Sequence, residues 1–273
     1  MKFILVNLLI LISCSLSAAE NFLQIRYPGP ANDYVTELIL LALEKSGHAF
    51  KSTPVLNLPS QKRVFFMLGK NKELDLIWTV TSVEREKQAL AIKIPIDKGL
   101  LGYRIALIKK ENPDLFKHAK FTSDLRKTLF GLGFDWPDLE IFRKNDIPSL
   151  SFHKNSQQVN MLKNKRFDAI PMGLLEVNDS LIEKGLVYDQ HMVMYYPSAV
   201  YFFVDKNNLK LYEALKEGLK TALKDGSWQI LFDKHFAKTI ERVQLKKRTL
   251  IRLKNPLLPR TAPTDIPEYW YEQ

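Results

Sequence analysis

Between residues 22 and 80 extended and helical patterns alternate, and that alternation constrains the fold of this chain more than any other feature. Residues 22–27 (FLQIRY) predict a strand, Pro28, Gly29 and Pro30 stop it, and Asn32 and Asp33 stand where a helix cap belongs. From 34 to 45, Val35, Leu38, Ile39 and Ala42 fall on one helical face, and Gly47 ends the helix. Residues 50–56 are again extended, 60–68 helical, and 74–80 a short buried strand. Strands joined through helices run parallel, because each needs a crossover. The first third of the chain therefore predicts a small α/β lobe.

The pattern resumes after a strand at 101–109. A short segment at 122–125 leads into a strand at 129–133, a helix at 138–144, extended chain at 149–153, a helix at 156–164 and a strand at 168–171. These elements predict a second α/β lobe. A last strand is expected at 199–204, before an amphipathic helix at 209–223 with Leu211, Leu215, Leu219 and Leu223 on one side. Gly226 breaks it, and another helix follows at 228–236. From Asn255 the tail carries Pro256, Pro259, Pro263 and Pro267 and closes with Tyr269, Trp270 and Tyr271. A chain ending in three aromatics predicts an ordered strap rather than a free tail.

At the other end, Met1 and Lys2 precede an apolar run of 3–12, and small residues lead to Ala18 and Ala19 before Glu20. This is the pattern of a secretory signal peptide ending at 19, too short to anchor in a bilayer. Leu11-Ile12-Ser13-Cys14 also fits a lipobox, which would make Cys14 a lipid-bearing first residue. Under the first reading the mature chain has no cysteine, so it has no disulfide, thiol nucleophile or thiolate-held metal. The protein is expected in the periplasm.

The formal net charge of +10 arises from Lys and Arg spread along the chain, with clusters only at 109–110 and 246–248. That spread predicts a solvated basic surface, and export argues against a nucleic-acid partner. The five histidines, His48, His118, His153, His191 and His235, form no close ligand pair, and neither G-x-S-x-G nor a phosphate loop occurs. No catalytic residue, metal or cofactor is expected.

The stretch 74–86, LDLIWTVTSVERE, sets Asp75 before a short apolar strand, then hydroxyl residues, then Arg85. Phe167-Asp168-Ala169-Ile170 follows the helix at 156–164, and two helices flank Lys224-Asp225-Gly226-Ser227-Trp228. In this order the three stretches resemble extracellular solute-binding proteins of family 3, which include the polar-amino-acid receptors of ABC importers. The resemblance spans nearly the whole mature chain. It implies an α/β, two-lobed type II periplasmic binding protein, each lobe a mostly parallel sheet flanked by helices, with a two-strand hinge between them. The corresponding boundaries are a signal peptide at 1–19, the first part of lobe 1 at 20–100, lobe 2 at 101–206, and the C-terminal part of lobe 1 with its strap at 207–273. The crossings are then expected near 99–103 and 205–208.

The resemblance also implies a ligand cleft between the lobes, in which Arg85 holds a carboxylate with Thr79 and Thr81 as hydroxyl donors. A guanidinium fork suits that task because it binds carboxylate in bidentate fashion and keeps its charge when desolvated. Tyr27 stands where relatives place a contact from the first strand, and Trp78 and Arg63 are further candidates. In the stretch 131–138, Trp136 can stack on a ligand, and Asp135 or Asp138 can cap the following helix. No acid stands near Gly173, where relatives hold the ligand ammonium, and Glu176 is the nearest substitute. The implied function is capture of an amino acid or related carboxylate by a monomer that serves ABC-transporter membrane subunits. A sensor module for a membrane partner, or a periplasmic dehydratase using Glu176 opposite Arg85, are the alternatives.

Overall fold

The computed structural model describes residues 22–29, 33–56, 58, 61–69, 73–134, 136–154, 157–177 and 179–271. The signal-peptide and lipobox readings, Asp135 and the side chain of Arg63 lie outside the described residues.

Strand β1 (Leu23–Pro28) pairs in parallel with β2 (Phe50–Val55), and helix α1 (Asp33–Lys45) connects them. Period-two alternation buries Leu23, Ile25 and Tyr27 on one face of β1. Tyr27 therefore belongs to the core, only 4% exposed. Helix α2 (Gln61–Met67) leads to β3 (Leu76–Val80), and α3 (Val83–Gln88) leads to β4 (Leu90–Ile92). Contacts between β1 and β3, with Asp75 N–H bonded to the Arg26 carbonyl at 2.8 Å, join these two groups of strands.

A larger sheet begins with β5 (Tyr103–Lys109) and takes in β6 (Phe130–Gly133), β7 (Ser149–Phe152) and β8 (Ala169–Gly173). Strands β9 (Leu186–Tyr188) and β10 (Met192–Tyr195) flank β5. Helices α4 (Asp138–Lys144) and α5 (Gln158–Lys163) form the crossovers β6–α4–β7 and β7–α5–β8, and parallel pairing holds β6 to both β7 and β8 as the alternation predicts. Strand β5 follows a 3-10 turn at Leu100–Gly102 and runs antiparallel to β8, β9 and β10.

The strand expected at 199–204 forms as β11 (Val200–Val204), and it hydrogen-bonds to β3 and β4. It is thus the central strand of a three-stranded sheet, β3–β11–β4, separate from the seven-stranded one, whereas a second lobe spanning 101–206 would place it in the latter. We propose that the chain crosses between the lobes at 99–103 and back at 196–199 rather than 205–208, where Asn208 instead caps α6 (Leu209–Lys224). The physical reason is the pairing itself: Phe203 opposite Ile77 and Val204 opposite Leu76 bury an apolar strand on both faces.

Helices α6 and α7 (Ser227–Arg242) pack on α1, with Leu211, Leu215 and Leu219 inward as the amphipathic pattern predicts. The approach of α6 to α1 is so close that a Cβ at Gly218 would lie 1.7 Å from the Ala42 carbonyl oxygen. Gly218→Val is expected to lower stability by about 1–3 kcal/mol, measured by urea unfolding, because the obstacle is backbone. The chain then enters the large sheet a second time through β12 (Thr249–Arg252), parallel to β10. The tail returns to the first crossing: Tyr271 N–H bonds the Lys98 carbonyl at 2.7 Å and Trp270 lies against Gly99. Gly99 takes φ 72°, a conformation that glycine adopts without strain.

Asp97 is buried in this crossing and accepts the N–H groups of Gly99 and Leu101, both at 3.0 Å. Burial pushes its carboxyl up to about 6 against those hydrogen bonds and the Arg104 charge. The folded form holds this proton more tightly than the unfolded chain. Stability from Asp97 is therefore full below about pH 4 and is lost as pH rises through about 6, a fall on the order of 2 kcal/mol. Unfolding free energies measured from pH 4 to 7 should show that slope, and Asp97→Asn should flatten it.

Candidate functional site

Ser82 caps α3, accepting the Arg85 N–H at 3.3 Å, and so turns the chain at the end of β3 and sets the arginine on a short helix. The Arg85 guanidinium donates from Nη1 to Thr79 Oγ1 at 2.8 Å and to the Val80 carbonyl, and lies over the Phe65 ring at 6.0 Å. Burial pulls its pKa below the ordinary value, yet a guanidinium remains a cation. Among the described residues no carboxylate pairs with it. The neighbouring Glu86 instead meets Thr81 Oγ1 at 2.8 Å and Lys93 at 2.8 Å.

Across from Arg85, β6 and the turn after it carry Phe134 and Trp136 to the mouth of α4. Trp136 covers Gly133, where a Cβ would lie 2.4 Å from the indole nitrogen, and meets Phe152 edge-on at 5.5 Å. Asp138 opens α4 and is buried. It takes Arg104 Nε at 2.8 Å and Nη2 at 3.3 Å, and the Tyr196 hydroxyl donates to it at 2.6 Å. Burial opposes the Asp138 charge, but the Arg104 guanidinium and the two hydrogen-bonding partners outweigh it and hold its pKa down. Burial likewise opposes the Arg104 charge, and Asp138, Tyr196 and Glu176 together raise its pKa. The pair is ionised and internally satisfied.

Between these walls lies a cavity of about 720 Å³, a size suited to a small molecule. Arg85, Thr81, Trp136 and Glu176 all line it. Thr79 is buried behind Arg85 and orients it, while Trp78 packs on the first-lobe core; neither lines the cavity. Glu176 follows β8 in a 3-10 turn and accepts the Gly173 N–H at 2.8 Å.

Sequence reasoning missed the site's second charged group, Arg104 with Asp138. An arginine opening an apolar run (YRIALI) was its one visible signal, since such a buried cation requires a partner. It also missed that Asn255, Leu257 and Leu258 of the tail reach the cavity. Among the described residues no group of three or more His, Cys, Asp or Glu stands close enough to hold a metal, and no helix is long and apolar enough to cross a membrane.

No protein-family model matches this sequence, and no curated protein matches it at a significant level. Solved structures do. An ancestral arginine-binding protein bound to arginine superposes with a TM-score of 0.52 at 17% identity, over 78% of this chain and 98% of its own. An ancestral amino acid-binding protein that is a precursor of cyclohexadienyl dehydratase gives 0.51 at 15% identity, over 79% and 95%. The protein YckB from Bacillus subtilis gives 0.53 at 17% identity, over 80% and 91%. Likeness at these identities is likeness of fold: the chain has the two-lobed α/β architecture shared by these binding proteins, and the cavity lies between ends of the three-stranded sheet and the seven-stranded one.

Proposed function

We propose that this protein is an exported, monomeric solute-binding protein that captures an amino acid or related carboxylate between its lobes for an ABC importer. The observation that carries the reading is Arg85: a cation on the cavity wall, oriented by Thr79 and the Val80 carbonyl, with no carboxylate partner among the described residues. A ligand carboxylate supplies the missing counter-charge. Glu176, on the opposite wall, is the acid nearest to a role with a ligand amine. The names of the structural neighbours, amino-acid-binding proteins, support the same reading. Closure of the lobes would then present a distinct surface to the transporter, through differential affinity for the two forms.

Thermal unfolding of the protein lacking residues 1–19, with amino acids and small carboxylates added, tests this. A ligand at about a hundredfold its Kd adds about 2.7 kcal/mol to stability. Arg85→Ala is expected to abolish that gain, and a gain that survives the substitution would refute the role of Arg85.

One neighbour is a precursor of a dehydratase, which gives the enzyme reading its single support. Incubating the stabilising ligand with the protein and following it by NMR separates the two: a receptor returns it unchanged.

A further inference from the structure

We infer that the C-terminal tail forms one wall of the ligand cavity and, through Leu257 and Leu258, selects a carboxylate with an apolar body, aliphatic or aromatic. The inference rests on the cavity being the ligand site, as proposed above.

The tail is held rigidly where it passes the cavity. The Asn145 amide brackets the Lys254 main chain, accepting its N–H at 2.9 Å and donating to its carbonyl at 2.8 Å. One residue on, the Asn255 amide donates to the Pro197 carbonyl at 2.8 Å, tying the tail to the return crossing, and its oxygen accepts the Leu257 N–H at 2.9 Å. Leu257 packs on the core of the large sheet and Leu258 on that of the three-stranded sheet, so two adjacent residues span both lobes. Beyond them Lys93 Nζ meets Thr261 Oγ1 at 2.6 Å, and Trp270 Nε1 donates to the Pro263 carbonyl at 2.8 Å. A segment fixed this closely presents its side chains as a preformed surface.

The charges around the cavity complete the argument. Of the arginines lining it, Arg104 is engaged by Asp138 at 2.8 Å and Arg143 by Glu140 at 2.5 Å, which leaves Arg85. A second anionic group on a ligand would face Asp138, Glu140 and Glu176. A long cationic side chain would have to shed its water against Leu257, Leu258, Leu101 and Trp136, on a lining where Asp138 is already paired with Arg104 and Glu140 with Arg143. One carboxylate on Arg85 with an apolar remainder against the tail satisfies both walls. Hydrophobic amino acids and their 2-oxo acid counterparts share this chemistry.

Calorimetric titration of the protein lacking residues 1–19 with L-leucine, L-phenylalanine, 4-methyl-2-oxopentanoate, phenylpyruvate, L-arginine and L-glutamate tests the inference. A hydrophobic carboxylate is expected to bind at least about tenfold more tightly than arginine or glutamate, and Leu257→Ala to weaken it about tenfold. Leu257→Gln keeps the volume and adds an amide, so it should weaken binding comparably and serves if the truncation unfolds the tail. The amino acid and oxo acid arms distinguish the two sources: tighter binding of the former assigns Glu176 to the ammonium, tighter binding of the latter does not. Tightest binding of arginine or glutamate, or unchanged affinity in both Leu257 variants, overturns the inference and leaves the receptor reading intact. Binding of none of the six overturns both.

Discussion

Asp138→Ala is expected to destabilise the protein by about 3–5 kcal/mol, because it leaves the buried Arg104 guanidinium without its counter-charge. The same change removes the acceptor of the Tyr196 hydroxyl, which is itself buried. A chain of this size loses about 2–4 °C of melting temperature per kcal/mol, so calorimetry will register the effect clearly. The double variant Asp138→Ala with Arg104→Met should recover much of the loss, since removing both charges also removes the cost of keeping them dry. If the single substitution costs less than about 1 kcal/mol, the pair is more hydrated than this geometry implies. The pair joins β5, α4 and the return crossing, so its loss should also loosen the cavity wall around Trp136.

Trp228→Ala should have an effect of similar size, about 3–5 kcal/mol by urea unfolding, through a different mechanism. The side chain is fully buried at the start of α7. Its Nε1 donates to the Tyr34 hydroxyl at 2.9 Å, which in turn donates to the Ile96 carbonyl at 2.5 Å. The Lys98 ammonium lies 5.7 Å from the indole face. Truncation opens a cavity and also breaks a relay that fixes the first crossing against the helical layer. Trp228→Phe keeps most of the packing but not the donor, so the difference between the two variants isolates the hydrogen bond, about 1 kcal/mol.

The elements that local pattern determines were legible in the sequence. The spacing of Leu211, Leu215 and Leu219 marks α6, the alternation of Leu23, Ile25 and Tyr27 marks β1, and the cavity arginine was visible in the 74–86 stretch. What pattern alone does not carry is partnership. The run VYFFV reads as a buried strand whichever sheet receives it, and only its pairing with Ile77 and Leu76 decides. The same limit hid β12, a four-residue strand in a basic stretch whose register is set by β10. Tyr27 shares with Ile25 the core face of β1 and is not among the residues lining the cavity, whereas Asp138, read as a cap, is an ion-pair partner because folding brings Arg104 to it.

The second visit of the chain to the large sheet bears on how the molecule is assembled. Strand β10 receives its outer partner, β12, only after both C-terminal helices, which pack on α1, have been made. A growing or truncated chain ending before Thr249 therefore carries β10 with one row of backbone N–H and C=O groups bare. Such an edge is a template for pairing with other copies. Until β12 arrives, the protein is exposed to aggregation through β10.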